Sequence, residues 1–342
     1  MALITQSDIA KRLNVTRVTV SKALRDHPDI STKLKEKIKR TSKELGYTPN
    51  LIAKNLTARK TFTLGVVIPD LENNFFAYAT DSIIDAASEK GYNVFVTVSR
   101  ENQQSEILNL KNLIGMRVDG LLVCVSQHSR DIEVFNEIEK LNIPLVFFDR
   151  KPDGLNSQSV VFADNYGAIS AIDSIAAEGY KRFAHFSGYS NISIGHNRKE
   201  GFLAAMKKNE LKIDPEWIIE GGYEIEDGYN SFMKLNQKKK FPEIIFAVND
   251  RVAMGVYKAA REVGVKIPED IGVVAYGFNE TAQTFTPTLS IINQDPRKLG
   301  EIAIESLVDK IEQKNNLLDR QIIIKEDFIW NNSIKRKNKL RK

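Results

Sequence analysis

Arg17, Val18, Ser21, Lys22 and Arg25 are the residues whose spacing most directly offers chemistry. At about 100° per residue they share one arc of a helix, and Val20, Ala23 and Leu24 fall on the other side. The first arc carries cations, a hydroxyl and an apolar methyl-bearing side chain. These are the groups that contact phosphates, guanine edges and thymine methyls in a DNA major groove. A solvated amphipathic helix shows the same pattern, so the surrounding segments decide between the two. A second set lies further along the chain, where Pro69-Asp70 with Asn73-Asn74-Phe75-Phe76, Asp149-Arg150, Asp164-Asn165 and Asn249-Asp250 each follow an apolar run. Singly, such polar residues are ordinary helix caps or turns; gathered at strand ends, they point to a cleft between two lobes.

Catalysis finds no comparable constellation. No GxGxxG follows the first apolar run, no GxxxxGK[ST] is present, and Ser187-Gly188 lacks the glycine spacing of GxSxG. His27, His128, His185 and His196 are scattered without ligand spacing, and neither HExxH nor CxxC occurs. No catalytic residue, metal site or cofactor is assigned. Cys124, the single cysteine, sits inside Gly120-Leu121-Leu122-Val123-Cys124-Val125, which predicts a buried, inert thiol and excludes a disulfide within the chain.

The chain has 342 residues, of which 42% are hydrophobic, so a small domain is expected beside a large or bilobed one with a sizeable core. Its net charge of +5 is unevenly spread. Residues 1–60 hold 14 Lys+Arg against 5 Asp+Glu, residues 335–342 hold 6 basic residues and no acidic one, and the stretch between is left at −10. A basic head on an acidic body points to a polyanionic partner for the head alone. Gln6, Ser7, Asp8, Lys11 and Arg12 interrupt any secretory apolar run, and no window of 18 apolar residues exists. The expectation is a cytoplasmic protein without a membrane partner.

The elements that must position the first set are short helices. Thr5-Gln6-Ser7-Asp8 has the form of a capping box ahead of Ile9 and Leu13. That helix ends at Asn14, and the turn Asn14-Val15-Thr16 leads into the segment from Arg17, which is helix-turn-helix spacing. A third helix starts at Ser31, buries Leu34, Ile38 and Leu45, and stops at Gly46. After Pro49, Asn50 is placed to cap about two turns through Leu56. Isolated helices below roughly 12 residues are marginal in water, so this segment is either a linker or a helix that needs a partner.

The order Asp8-Ile9-Ala10, Val15-Thr16-Arg17-Val18-Thr19-Val20-Ser21-Lys22-Ala23-Leu24, Leu45-Gly46-Tyr47-Thr48-Pro49-Asn50 and Ala53-Lys54-Asn55-Leu56 resembles the head and hinge of the LacI/GalR family of bacterial transcription regulators. The resemblance implies that Thr16, Arg17, Val18 and Lys22 face the major groove. It puts Thr5, Thr19, Ser21, Tyr47 and Asn50 on the backbone or its edges and Ala53 and Leu56 in the minor groove, with Leu56 as the wedge that kinks the duplex, and counts Lys54 among the DNA-binding residues. Lys22 departs from the family's usual arginine, and an ammonium lacks the bidentate fork to guanine.

From Phe62 the pattern becomes apolar runs alternating with helical stretches. Residues 63–68, 93–98, 120–125 and 145–148 read as buried parallel strands, and the series repeats near 160–162, 183–186, 243–248 and 271–276. Two βα sheets follow, each with helices on both faces. The resemblance extends over this region and implies a body similar to periplasmic sugar-binding proteins, crossing between lobes near 161, 291 and 322. It places Phe75, Phe76, Asp149, Asp164, Arg198, Tyr223, Asn249 and Gln294 at or near an effector cleft. At Tyr276-Gly277-Phe278-Asn279 the family usually has an acidic residue where this chain has Gly277, and Asn279 is a candidate substitute after a shift of the loop.

The expected organisation is a helix-turn-helix DNA-binding domain over 1–49 and a hinge helix and linker over 50–61. An N-terminal lobe of 62–161 plus 292–321, a C-terminal lobe of 162–291 plus 322–332 and a solvated basic tail over 333–342 complete it. The function implied is a regulator, by the family's commoner habit a repressor. It would bind a pseudo-palindromic double-stranded DNA operator as a homodimer, under control of a small-molecule effector of carbohydrate type. A cytoplasmic sugar-binding protein, or an α/β enzyme with an accessory DNA-binding head, is the alternative.

Overall fold

The computed structural model describes residues 4–48, 60–127, 129–152, 154–155, 157–190, 192–313 and 321–337. It divides into two compact units, Met1–Thr61 and Phe62–Lys342.

In the first unit α1 (Gln6–Leu13), α2 (Arg17–Leu24) and α3 (Thr32–Glu44) enclose Ile9, Ala10, Val20, Ala23 and Ile38. The backbone N–H and hydroxyl of Thr5 donate to Asp8 Oδ2 at 2.9 and 2.7 Å, which starts α1. Asn14, in the left-handed conformation, ends it. Thr16 Oγ1 accepts from the Thr19 N–H at 3.1 Å and starts α2 three residues later. The side of α2 opposite the core is open, and Val18 is 64% exposed. Asn50, Ala53, Lys54 and Leu56, with residues 50–59 of the hinge helix and linker expected over 50–61, lie outside the described residues.

The second unit holds two six-stranded sheets. The first runs β11-β5-β4-β3-β1-β2, from Gln321–Ile324, Ser159–Phe162, Leu145–Phe148, Gly120–Val123, Thr63–Ile68 and Asn93–Val98, all parallel. The second runs β12-β10-β9-β8-β6-β7, from Asp327–Ile329, Ser290–Asn293, Gly272–Gly277, Ile244–Ala247, Phe183–Ser187 and Ile218–Glu220. Here β12 alone is antiparallel. Strand β2 is an edge and leaves Phe95 51% exposed, so it is not the continuously buried strand its apolar run suggested.

Helices α4 (Asn74–Glu89), α5 (Gln103–Gly115), α6 (Glu133–Lys140) and α12 (Pro296–Ile311) serve the first lobe. Helices α7 (Asp164–Ala177), α8 (Ser193–Lys208), α9 (Ile225–Lys238), α10 (Asp250–Val263) and α11 (Asn279–Ala282) serve the second. Helices α9 and α10 cross at Gly228 and Gly255, where a Cβ on either would collide with the other helix's backbone.

The chain changes lobe between Phe162 and Asp164, between Asn293 and Pro296, and between Ile324 and Asp327. The expected crossings near 291 and 322 therefore move two to three residues C-terminal, because Ile322–Ile324 still pair with β5 and Ile291–Asn293 with β9. The tail also departs from expectation at its start. Ser333 and Ile334 are core residues: Ser333 Oγ donates to Val273 O at 2.6 Å and accepts from Ser290 N–H at 2.7 Å. Lys337 then pairs with Glu243 at 2.9 Å and lies 3.8 Å from the Tyr180 ring centre, while Arg336 covers Trp330. Aromatic faces and acidic partners hold residues 333–337 to the second lobe. No helix among the described residues is long and apolar enough to cross a membrane.

Candidate functional site

The strand ends of both sheets face a cleft of about 480 Å³ including its open mouth. From the first lobe, Asn73 caps α4 by accepting from the Phe75 N–H at 3.0 Å. That cap sets Phe75 and Phe76 edge to face, 5.4 Å apart, on the cleft wall. At the end of β4, Asp149 takes a φ of +59°, uncommon for a residue with a side chain, and the chain turns there. Burial pushes the Asp149 carboxyl up to about 6, against the opposing pull of Arg150 and Arg198.

Arg150 follows and donates from one terminal nitrogen to Glu101 Oε1 at 2.8 Å. Its guanidinium lies 5.5 Å from the Phe76 ring centre and 5.9 Å from that of Tyr223, so one cation is held between aromatic rings of both lobes. Burial is the largest single influence on Arg150 and lowers its pKa, but Glu101, Cys124 and Asp149 together outweigh it and leave the guanidinium above its ordinary range. The second Glu101 oxygen accepts from the Gln127 N–H at 2.6 Å. Cys124 is buried 3.8 Å from Asp149, and burial with that carboxylate raises its thiol far above the usual range, as an inert thiol requires.

From the second lobe, Arg198 on α8 is the centre of the wall. Its Nε donates to Asp164 Oδ1 at 2.8 Å, and its terminal nitrogens donate to Val248 O at 2.5 Å and Gln294 Oε1 at 2.8 Å. The guanidinium lies flat on Tyr276, 3.9 Å from the ring centre. Burial is the largest single influence on Arg198 and lowers its pKa, yet Asp164, Tyr276 and Asp149 together outweigh it and raise it. Gln294 in turn donates to Asp164 Oδ1 at 3.1 Å and to Glu326 Oε1 at 3.0 Å, and the Tyr276 hydroxyl donates to the Asp164 carbonyl. Glu326, pushed up to about 7 by burial and by Asp164, has its other oxygen unmet among the described residues.

Asp164 starts the segment after the first crossing, Gln294 lies on the second and Glu326 on the third. All three crossings thus end in one buried network around Arg198. The lobes also meet beside the cleft through Tyr78 against Phe278, Arg297 with Glu280 at 2.7 Å, and Arg251 with Asp70 at 3.8 Å.

Of the cleft residues expected from sequence, all but Asp164 line the cavity; Asp164 stands behind Arg198 and positions it. Asn249 lines the cavity while its own groups are engaged: Oδ1 caps α10 at Val252 and Nδ2 donates to Tyr223 O at 3.0 Å. The structure adds Asn73, Arg150, Ile194, Asp250, Tyr276, Gly277 and Phe278 to the lining. Asn73, Arg150 and Asp250 sit in the polar punctuation after strands, and Tyr276, Gly277 and Phe278 in the segment already singled out, so a signal existed for all but Ile194. Glu326 and Glu101 had none, since their partners are remote in sequence. Asn279 is exposed on α11 and does not line the cavity, so it does not replace the carboxylate that Gly277 lacks.

On the head, Arg17 and Val18 are exposed on the free arc of α2. Lys22 pairs with Asp29 at 2.7 Å, and Arg25 donates to Ser21 Oγ at 3.1 Å. Thr16 and Thr19 engage each other, Thr5 engages Asp8, and half-buried Tyr47 packs against the head core.

The profile described as "Bacterial regulatory proteins, lacI family" matches residues 5–50, and that described as "Periplasmic binding proteins and sugar binding domain of LacI family" matches residues 61–332. The ribose operon repressor of Haemophilus influenzae is 28% identical over 313 residues, covering 91% of this chain and 93% of its own. The HTH-type transcriptional repressor PurR of Serratia proteamaculans is 30% identical over 311 residues, covering 91% of both. Among solved structures, the Lac repressor dimer bound to operator and the anti-inducer ONPF superposes with a TM-score of 0.88 at 23% identity, over 97% of this chain and 99% of that one. The transcriptional regulator CelR in complex with cellobiose gives 0.72 at 24% identity, over 96% and 99%. At such identity these likenesses speak for the fold. Head, two-lobed body and profile matches over most of the length agree: the chain belongs to the LacI family of bacterial regulatory proteins, DNA-binding transcriptional regulators with a ligand-binding body rather than enzymes.

Proposed function

We propose that the protein is a repressor that binds a pseudo-palindromic operator as a homodimer and is released from it by a sugar or sugar derivative held between the lobes. It acts in the cytoplasm, at the nucleoid. In this reading residues 1–49 are the DNA-binding domain and 50–61 the hinge. Thr16, Arg17, Val18 and Lys22 face the major groove, Thr5, Thr19, Ser21, Tyr47 and Asn50 hold the backbone or its edges, Ala53 and Leu56 act at the minor groove, and Lys54 contacts the DNA beside them. Relatives named as a ribose operon repressor and as the transcriptional repressor PurR support it, as does the operator-bound Lac repressor dimer. Exposed Ile84 on α4 and Phe95 on the neighbouring β2 are apolar residues that a second copy would cover.

The observation that carries the reading is Arg198. One guanidinium forms cleft wall and also bonds Asp164 and Gln294, hence all three crossings. A ligand that touches it biases lobe orientation, and a ligand that binds two orientations unequally shifts their populations.

The test is operator affinity at fixed salt, by fluorescence anisotropy, on DNA fragments from around the protein's own gene, with and without a panel of sugars and sugar phosphates. A tight, sequence-selective complex weakened by one compound is the expected result. Nonspecific binding unmoved by every compound overturns it. Leu56→Ala should weaken operator binding far more than nonspecific binding, and equal losses on both DNAs refute the wedge.

A further inference from the structure

Gly277 and Asp250 occupy one corner of the cleft. A Cβ built on Gly277 would stand 3.2 Å from Asp250 Cβ and 3.5 Å from its Cγ and Oδ2. A side chain at 277 would therefore press on Asp250 Cβ and cover its carboxylate at ordinary contact distance, and glycine leaves that side of Asp250 open. With glycine there, Asp250 turns its carboxylate onto the cleft wall. The backbone N–H groups of Arg251 and of Asp250 itself face its carboxylate at the start of α10, and no side chain among the described residues donates to it.

The charges around this corner point the same way. The arginines of the cleft region are already committed: Arg198 to Asp164, Arg150 to Glu101, and Arg251 to Glu224 and Asp70. A second cavity of about 490 Å³ shares Phe76, Arg150 and Tyr223 with the first and is lined by the acidic Asp70, Glu101, Glu224 and Asp227. An anionic ligand would have to displace a carboxylate from a guanidinium and then sit among those that remain. A neutral, hydroxyl-rich ligand meets Asp149 and Asp250 as acceptors and the rings of Phe75 and Phe76 as apolar faces.

We infer that Asp250, left uncovered on the cleft wall by Gly277, accepts hydrogen bonds from the effector's hydroxyls, and that the effector is a sugar without a phosphate. This rests on the sugar reading proposed above and narrows it.

The experiment is calorimetric titration of the full chain with ribose, glucose, galactose and cellobiose, each set against ribose 5-phosphate, glucose 6-phosphate or galactose 1-phosphate where the phosphate exists. The tightest ligand is carried into Asp250→Asn and into the double variant Asp250→Ala, Gly277→Asp. A neutral sugar should bind more tightly than its phosphate. Asp250→Asn should weaken it roughly 10- to 100-fold, the range for losing hydrogen bonds to a charged group. The double variant, with its carboxylate moved across the corner, should recover to within about fivefold of the unsubstituted chain, which also shows that the fold is intact.

A phosphate that binds more tightly than its parent sugar overturns the inference. So does a sugar indifferent to Asp250→Asn, and in both cases the sugar reading survives. A panel without any binder removes the sugar reading, and the inference falls with it.

Discussion

Arg198→Ala is the perturbation whose cost follows most directly from the geometry. It deletes three hydrogen bonds, to Asp164, Val248 O and Gln294, and leaves the buried Asp164 carboxylate with Gln294 Nε2 as its remaining side-chain donor at 3.1 Å. Removing one partner of a buried ion pair costs about 3–5 kcal/mol, chiefly because the other charge stays behind. Set against total stabilities of about 5–15 kcal/mol, the variant should fold but unfold early, with its urea midpoint lower by roughly 1–2 M. Trp217 and Trp330 both belong to the second lobe, so tryptophan fluorescence reports the lobe that carries Arg198. The decisive control is Asp164→Asn in the Arg198→Ala background. It removes the orphaned charge and should recover about half of the loss. A loss under about 1 kcal/mol for the single variant, or no recovery in the double, refutes the account of Arg198 as the paired hub of the crossings. Effector affinity should vanish in both variants, because the guanidinium is itself part of the cleft wall.

Three other substitutions probe other parts of the chain. Gly255→Ala sets a methyl against the backbone of Ile225 and Tyr229 in α9 and should destabilise the second lobe by about 1–3 kcal/mol or more, read as a fall in melting temperature; an unchanged melting point contradicts the close crossing. His185 is wholly buried against Phe202, and burial lowers its pKa from 6.5 to about 4. Its unfolded form therefore takes a proton first, and stability drains away as pH falls from 6.5 towards 4, by about 3 kcal/mol in all. His185→Phe also loses the bond to Phe246 O, an offset that does not vary with pH, so its stability-against-pH curve should lack that slope. Parallel curves for the two proteins would rule this out. Asp29→Asn releases Lys22 and removes an anion from the head, so affinity for duplex DNA at low salt should rise severalfold, and equal binding before and after would show that the pair restrains nothing.

The head was legible because its signals are local. Thr5 and Asp8 are three residues apart and form the cap that their spacing announces, and Val20 and Ala23 bury the face that α2 periodicity assigns them. The body's long apolar runs likewise became strands, all interior to their sheets except Asn93–Val98 at an edge. Strands of three or four residues, such as Ile218–Glu220 and Asp327–Ile329, carry too little pattern to stand out, and their pairing comes from the sheet beside them. The cleft was legible at strand ends and illegible wherever a residue works through a remote partner. Glu326 reaches Gln294, and Asp250 uses the space beside Gly277; only the folded chain makes those neighbours. Asp164 looked like a ligand contact because it follows a strand, and it turned out to be a support for Arg198. The first basic residues of the tail looked like solvated charge, since nothing nearby shows that Glu243, Tyr180 and Trp330 wait for them.

The three crossings have a mechanical corollary. Two rigid bodies joined by a single tether can tumble, twist and slide independently. Tied by three short tethers on one side, they keep little beyond a swing about the line through the ties. Because Asp164, Gln294 and Glu326 bring those ties to a common knot, the swing has one pivot rather than three loosely coupled ones. The lobes then behave as a caliper: any molecule seated between the jaws is converted into a single opening angle, whatever its shape.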